Sequence, residues 1–429
     1  MSFSKKMLAF AAVTALTAAT AVPAMALENE FHGLYRVRAI HTNFQNAAPA
    51  GALSADSSSL NAIEQRIRLL YAAKANDDLK LVTHFEVDST WGDAAYFVGR
   101  GAGAAIGADS VNIETKNIYL DFKIPATPVK AQVGVQPFTD AYKGIFITDD
   151  VAGLALSGKA GAATISGAFF RLNDAGGAAA IGKANVDLIT LDGKFAVSKD
   201  LSVGGSYYLV RNDLNVSGQD LHMFGVNAAA NLGPVAVDGF AIYQTGDEIY
   251  AVAARDVSAY AAQVAAKAKV GPGSLRGAVL YASGENGSGD SSAFQNIRSG
   301  ATTANFTSSA SAYYAGDMLL MMRSKWAMDS DRAIVSATNN SDMGLMFIAA
   351  GYDVPISSKV SATANVGYMR AADTATGSKS IGTEVNAQVN YKMYDNLTGS
   401  LQGAYVFLGD RLDANDDPYL ATAMLNYTF

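Results

Sequence analysis

The chain has no cysteine. That excludes a disulfide framework, a thiolate metal site and haem attachment through a Cys-x-x-Cys-His pair. Beyond its first two dozen residues it lacks any uninterrupted apolar run of about 18 residues, so no transmembrane helix is written into it. Positive charge is in short supply: 32 Lys and Arg stand against 39 Asp and Glu in 429 residues. That balance excludes nucleic acid as a partner, because phosphate binding needs clustered positive charge. Proline is scarce, 9 in all, and no proline-rich linker divides the chain into soluble domains. His32, His41, His84 and His222 have no metal-ligand spacing, and no cofactor or metal is expected.

What is present begins with a leader. Lys5 and Lys6 precede a small-and-apolar run from Met7 to Val22, and Ala24-Met25-Ala26 follows. This reads as a secretory signal peptide over residues 1–26, cleaved after Ala26. A membrane anchor fits less well, since the run is rich in Ala and Thr, falls short of the roughly 20 residues a span needs, and ends at Pro23. Removing it takes away two lysines and no acids, so the formal charge moves from -7 to -9. Residues 27–429 then form one exported, acidic architecture.

Half of the residues are hydrophobic, with 20 Tyr and 40 Gly. Apolar content without helical spans points to strands. In Glu64 to Tyr71, "EQRIRLLY", the residues Gln65, Ile67, Leu69 and Tyr71 share one face while Glu64, Arg66, Arg68 and Leu70 share the other. Eighteen such segments are predicted: 30–44, 61–74, 78–90, 111–124, 128–137, 150–159, 162–172, 184–197, 200–212, 220–232, 234–245, 256–270, 273–284, 342–354, 358–370, 380–394, 397–408 and 418–429. Most exceed the roughly 5–6 residues of soluble strands and match the roughly 9–11 that a tilted strand needs to cross a bilayer. Tight connections such as "ANDD", "PATP", "GPG" and "PISS" alternate with long ones. Short periplasmic turns on one rim and long extracellular loops on the other are the outer-membrane pattern. The fold class is therefore all-β, a transmembrane antiparallel β-barrel of about 18 strands, with 16 or 20 as alternatives. Closure follows because lipid tolerates no unpaired backbone edge.

The chain ends on "YLATAMLNYTF", where Tyr419, Ala421, Ala423, Leu425, Tyr427 and Phe429 alternate along one face. This resembles the assembly signal of Gram-negative outer-membrane barrels, with Tyr427 and Phe429 as its aromatic positions, and the whole mature chain resembles the porin class without a motif that names a subfamily. The resemblance implies an outer-membrane channel that passes small hydrophilic solutes or ions by diffusion, and not an enzyme. Implied partners are outer-membrane lipid, the barrel-insertion machinery and the solutes. A homotrimer and a periplasmic or extracellular protein are further candidates. The alternatives are a sheath around a partner such as a trans-outer-membrane redox protein, or a substrate-specific channel for an acidic polymer.

Alternation turns Arg36, Arg38, Arg66, Arg68, Lys80, Lys123 and Lys130 to the same face as Glu64, Glu86, Asp88 and Asp121. They are expected to line the pore, either as a field that sorts solutes or as self-neutralising pairs. The third long loop, "FTDAYKGIFITDD", resembles by position the inward constriction loop of general porins; Asp140, Lys143, Asp149 and Asp150 are its candidates, with the acids set against the arginines. The seventh loop, about 285–341, contains the apolar run "YYAGDMLLMMRSKWAM". An apolar run in a solvated loop packs on something, so the loop is expected to plug or gate the pore, or to extend the wall. "GRGAGAAIG" lacks nucleotide-binding spacing and reads as a loop. The acidic "GDRLDANDD" lacks a calcium-loop register.

Overall fold

The structure, a computed structural model, describes residues 27–44, 59–94, 101–107, 111–174, 185–213, 219–247, 255–285, 287, 290–297, 313–328, 333–374, 377–412 and 416–429. The signal peptide expected over residues 1–26 lies outside them. Period-two alternation produces nineteen strands among the described residues: β1 (Glu28–Thr42), β2 (Leu60–Asn76), β3 (Leu79–Trp91), β4 (Gly101–Ala104), β5 (Glu114–Lys123), β6 (Val129–Thr139), β7 (Thr148–Ala160), β8 (Ala163–Asp174), β9 (Asn185–Ala196), β10 (Leu201–Asn212), β11 (Gln219–Leu232), β12 (Val235–Asp247), β13 (Asp256–Val270), β14 (Gly273–Ala282), β15 (Leu345–Pro355), β16 (Val360–Arg370), β17 (Ser380–Tyr394), β18 (Leu397–Leu408) and β19 (Tyr419–Thr428). Eighteen pair antiparallel around a closed ring. β4, inside the glycine-rich stretch read as a loop, only bridges to β3 in parallel; β3 continues the ring by pairing with β5.

Eight tight turns lie on one rim and the longer connections on the other. Gly161, Gly233 and Gly271 take positive φ at three of these turns, where a Cβ would be strained. The shortest barrel strands hold 10 residues, about 33 Å of chain that a tilt near 45° reduces to about 24 Å, the height of a lipid-facing band. Outward positions are apolar and exposed all around the ring, among them Ile67, Leu120, Leu191, Val264, Val366 and Leu401. Aromatic Phe31, Phe195, Tyr391, Tyr394 and Tyr427 are exposed near strand ends, as interfacial girdles require.

The ring closes where β1 meets β19, in register from Leu34 opposite Thr428 to Thr42 opposite Leu420. Gly33 donates its N–H to the Phe429 carbonyl at 2.8 Å and accepts from the Phe429 N–H at 3.1 Å. A Cβ on Gly33 would stand 2.6 Å from the Phe429 ring. The aromatic therefore covers the patch that the glycine leaves bare, and Tyr427 stacks beside it with ring centroids 5.6 Å apart. Gly33→Val should prevent this closure. On an unheated gel the variant should run as unfolded chain where the parent runs as a compact barrel; compact migration would show that the seam tolerates the clash.

Inside, the alternation that makes strands outwardly apolar does not leave the inner face uniformly polar. Phe170, Leu188, Val210, Leu221, Ile242, Leu280, Phe347 and Val406 are buried in one cluster with residues of two long loops. Eighteen strands enclose more space than wall side chains fill, and the loops occupy part of the rest.

Candidate functional site

Charge is concentrated on the inner face of β1, β2 and β3, and strand register decides who meets whom. Arg38 lies opposite Glu64; Arg66 lies opposite Asp88, and Arg68 opposite Glu86. Each pair forms an ion pair, and Arg66 also reaches Glu86 at 3.3 Å. Cross-strand opposition of unlike charges is the stabilising arrangement in a sheet. Arg36 is the exception, because its direct partner is Arg66. It turns away, donating through Nε to Asn426 Oδ1 at 3.0 Å and lying 5.1 Å from the centre of the Trp326 ring. Lower on the wall, Lys80 and Lys130 share Asp121 at 3.9 and 3.2 Å, while Lys123 stays exposed near a tight turn. Four arginines thus face three carboxylates, Glu64, Glu86 and Asp88. Most of the charge is neutralised within the wall.

The loop between β6 and β7 folds inward. Its turn is made by Asp140, whose carboxylate accepts the backbone N–H groups of Tyr142, Gly144, Phe146 and Ile147 at 2.7 to 2.9 Å. Burial pushes this carboxyl above its usual range, against the four donors that favour its charge. Lys143 and Gly144 take positive φ within the turn. Beyond it Tyr142 is fully buried against Tyr208 and Phe240, and burial pushes its hydroxyl up to about 12. Lys143 pairs with Asp238 of β12 at 2.7 Å. Asp150 holds Lys116 and Asn117 of β5, each at 2.7 Å, and Asp149 accepts the Asp150 N–H. The expected opposition of acids to arginines is therefore corrected for Asp140 and Asp150: the first is spent on its own loop's amides, the second on the neighbouring wall.

The described residues of the long connection between β14 and β15 also turn inward. Met318, Leu319, Leu320, Met321 and Met322 are buried within the barrel. Glu384 of β17 accepts the N–H groups of Leu319, Leu320 and Met321 at 2.7, 3.1 and 2.6 Å, with Asn386 donating to it at 2.7 Å. Asp317 pairs with Arg276 of β14 at 2.9 Å. Gln244 of β12 exchanges two hydrogen bonds with the Gln295 backbone. The two inward loops join where Ile297 N–H donates to Phe146 O at 2.8 Å and Thr338 Oγ1 donates to Ile145 O at 2.9 Å. Sequence reasoning missed Glu384; the one acid of its strand, on the inner face, was its only signal.

Beneath the loop lies a chamber of about 720 Å³ between residues 317–326 and the inner faces of β13 to β19, extending to the tight turns at Ser357–Ser358 and Asp395. The barrel therefore carries a charged wall, a two-loop constriction and a polar chamber.

Neither a protein-family model nor a curated relative matches the sequence. Solved structures do match. The outer membrane protein OpdK from Pseudomonas aeruginosa aligns over 94% of this chain and 98% of that one, with 9% identity and a TM-score of 0.58. Pseudomonas aeruginosa OccK8 (OprE) aligns over 94% and 98%, with 14% identity and a TM-score of 0.58. Pseudomonas aeruginosa OpdK with vanillate aligns over 93% and 98%, with 10% identity and a TM-score of 0.57. The likeness establishes the porin-type barrel as the fold.

Proposed function

We propose that this chain is a channel of a Gram-negative outer membrane, through which small hydrophilic solutes or ions diffuse. One observation carries the reading: an eighteen-strand ring with an apolar outside encloses a polar chamber beneath the described residues of its inward loops. Lipid requires the first feature and aqueous passage the second. A sheath around a protein partner needs a free bore, and here the bore is crossed by Met318–Met322 and Tyr142–Ile147. A channel for an acidic polymer needs unpaired cations, whereas Arg38, Arg66 and Arg68 already hold carboxylates. Not an enzyme but a conduit is the reading the site supports, with Tyr427 and Phe429 as its proposed assembly signal and lipid and the insertion machinery as its proposed partners.

Purified protein in a planar bilayer should give stepwise conductance; silence from a folded barrel would sink the proposal. Selectivity follows from the arginine wall. Arg68, whose side chain is 30% exposed, faces water more than Arg38 or Arg66, so Arg68→Glu should shift the reversal potential in a salt gradient toward cations. The shift should shrink as salt rises, because the Debye length falls from about 30 Å at 0.01 M to about 3 Å at 1 M. An unchanged reversal potential at low salt would place Arg68 outside the ion path.

A further inference from the structure

The chamber beneath the loop has a lining whose charges are mostly committed to one another. Arg276 reaches Asp317 at 2.9 Å and Asp353 at 3.1 Å; Lys325 reaches Asp317 at 2.7 Å, and Lys392 reaches Asp395 at 2.7 Å. An incoming carboxylate would have to displace these partners. Lys359 adds one cation at the rim by the Ser357–Ser358 turn; deeper in, what faces the chamber without such commitment is a neutral wall of amides and hydroxyls on β16 to β19.

Gln402 Nε2 donates to Gln388 Oε1 at 2.9 Å, Ser400 Oγ donates to Asn390 Oδ1 at 2.7 Å, and Asn390 Nδ2 donates to Ser361 Oγ at 3.3 Å. Gln388 Nε2 donates to Asn390 Oδ1. A side-chain amide has two N–H donors and two acceptor lone pairs, and a hydroxyl has one donor and two acceptors. After these bonds Gln388 keeps one N–H and one lone pair, Asn390 keeps one N–H, and Ser400 keeps its lone pairs. The wall therefore offers donors and acceptors side by side, which is what vicinal hydroxyl groups require. Met318, Leu319 and Met424 border the same space and can cover the C–H faces of such a molecule. The volume, about 720 Å³, falls within the roughly 300–1,000 Å³ of small-molecule sites.

We propose that this chamber is a binding subsite for neutral polyhydroxylated solutes of mono- to disaccharide size, held by Gln388, Asn390 and Ser400. It deepens the channel reading and rests on it for its biological meaning, while its binding can be read without ion flow. Trp326 lines the chamber, and the only other tryptophan in the sequence, Trp91, lies at the end of β3 and is not among the lining residues.

The test titrates sucrose into full-length protein carrying Trp91→Phe, following Trp326 emission in detergent and single-channel current in a bilayer. Sucrose should change the emission saturably and reduce the current with the same midpoint. Gln388→Leu should raise that midpoint about tenfold, the size of one lost hydrogen bond with a partner left unpaired, and Ser400→Ala should raise it severalfold. Ser400→Ala is the milder change and stands if Gln388→Leu fails to insert. A conducting channel in which sucrose moves neither readout saturably would overturn the proposal. So would equal midpoints in the parent and Ser400→Ala, or a saturable response to vanillate with none to sucrose. Saturable emission without any conductance would support the subsite and remove the channel reading instead.

Discussion

A barrel in which residues 290–341 are replaced by a short Gly/Ser link should still insert, and should carry a severalfold larger single-channel current than the intact chain. The ring is built from strand-to-strand backbone pairing that does not use this connection. What the connection does is fill: Phe294, Leu320, Met321, Met322 and Val335 are buried against the inner faces of the wall strands. Its removal gives that cross-section to water. Leu280, Phe347, Met369 and Val406 would then be wetted, at a cost of about 25 cal/mol for each Å² of apolar surface exposed, so the thermal midpoint should also fall. Single-channel recording together with a melting curve checks both halves. An unchanged current would mean that ions already pass elsewhere, and the plug reading would be lost.

The second large effect is expected at Glu384. Its carboxylate is the acceptor for three consecutive loop N–H groups, and it is fully buried. Glu384→Ala leaves those donors inside the barrel without it, and each buried unsatisfied donor costs about 1–3 kcal/mol. The loop should leave the wall rather than bear that sum. Current should become noisy with a larger upper level, and trypsin should cut after Arg323 or Lys325. Glu384→Gln retains one acceptor oxygen and should fall between the parent and Glu384→Ala. Parent-like current together with trypsin resistance in Glu384→Ala would show that other contacts, such as Asp317 with Arg276, suffice to seat the loop.

All eighteen barrel strands were legible, because a period of two sustained over ten or more residues is the pattern of a half-buried strand and not of a helix. Segment 342–354 shows where legibility stopped. β15 begins only at Leu345, since Asn340, Ser341, Asp342 and Gly344 take positive φ, and a left-handed run is invisible to hydropathy. Which inner residues meet which was half legible. Same-face grouping of Arg36, Arg66, Glu86 and Asp88 follows from alternation, but pairing depends on register between strands. Asp140 misled because its place in the third loop set it against the arginines, whereas here it organises a turn. Glu384 was missed because its partners are backbone groups about 65 residues earlier in the chain, and backbone donors leave no trace in sequence. Inner apolar residues such as Ala259 and Ala261 of β13 read as unremarkable wall until the loops that cover them are in place.

Arg36 has a consequence for the order of events during assembly. It bonds to Asn426, 390 positions away, and contacts the Trp326 carbonyl, 290 positions away. Contacts that distant are made late, because the intervening chain must be ordered first. One of its partners belongs to β19, so the berth for Trp326 is complete only after the first and last strands have met. The indole environment of Trp326 thus acts as a clock that starts when the seam is sealed.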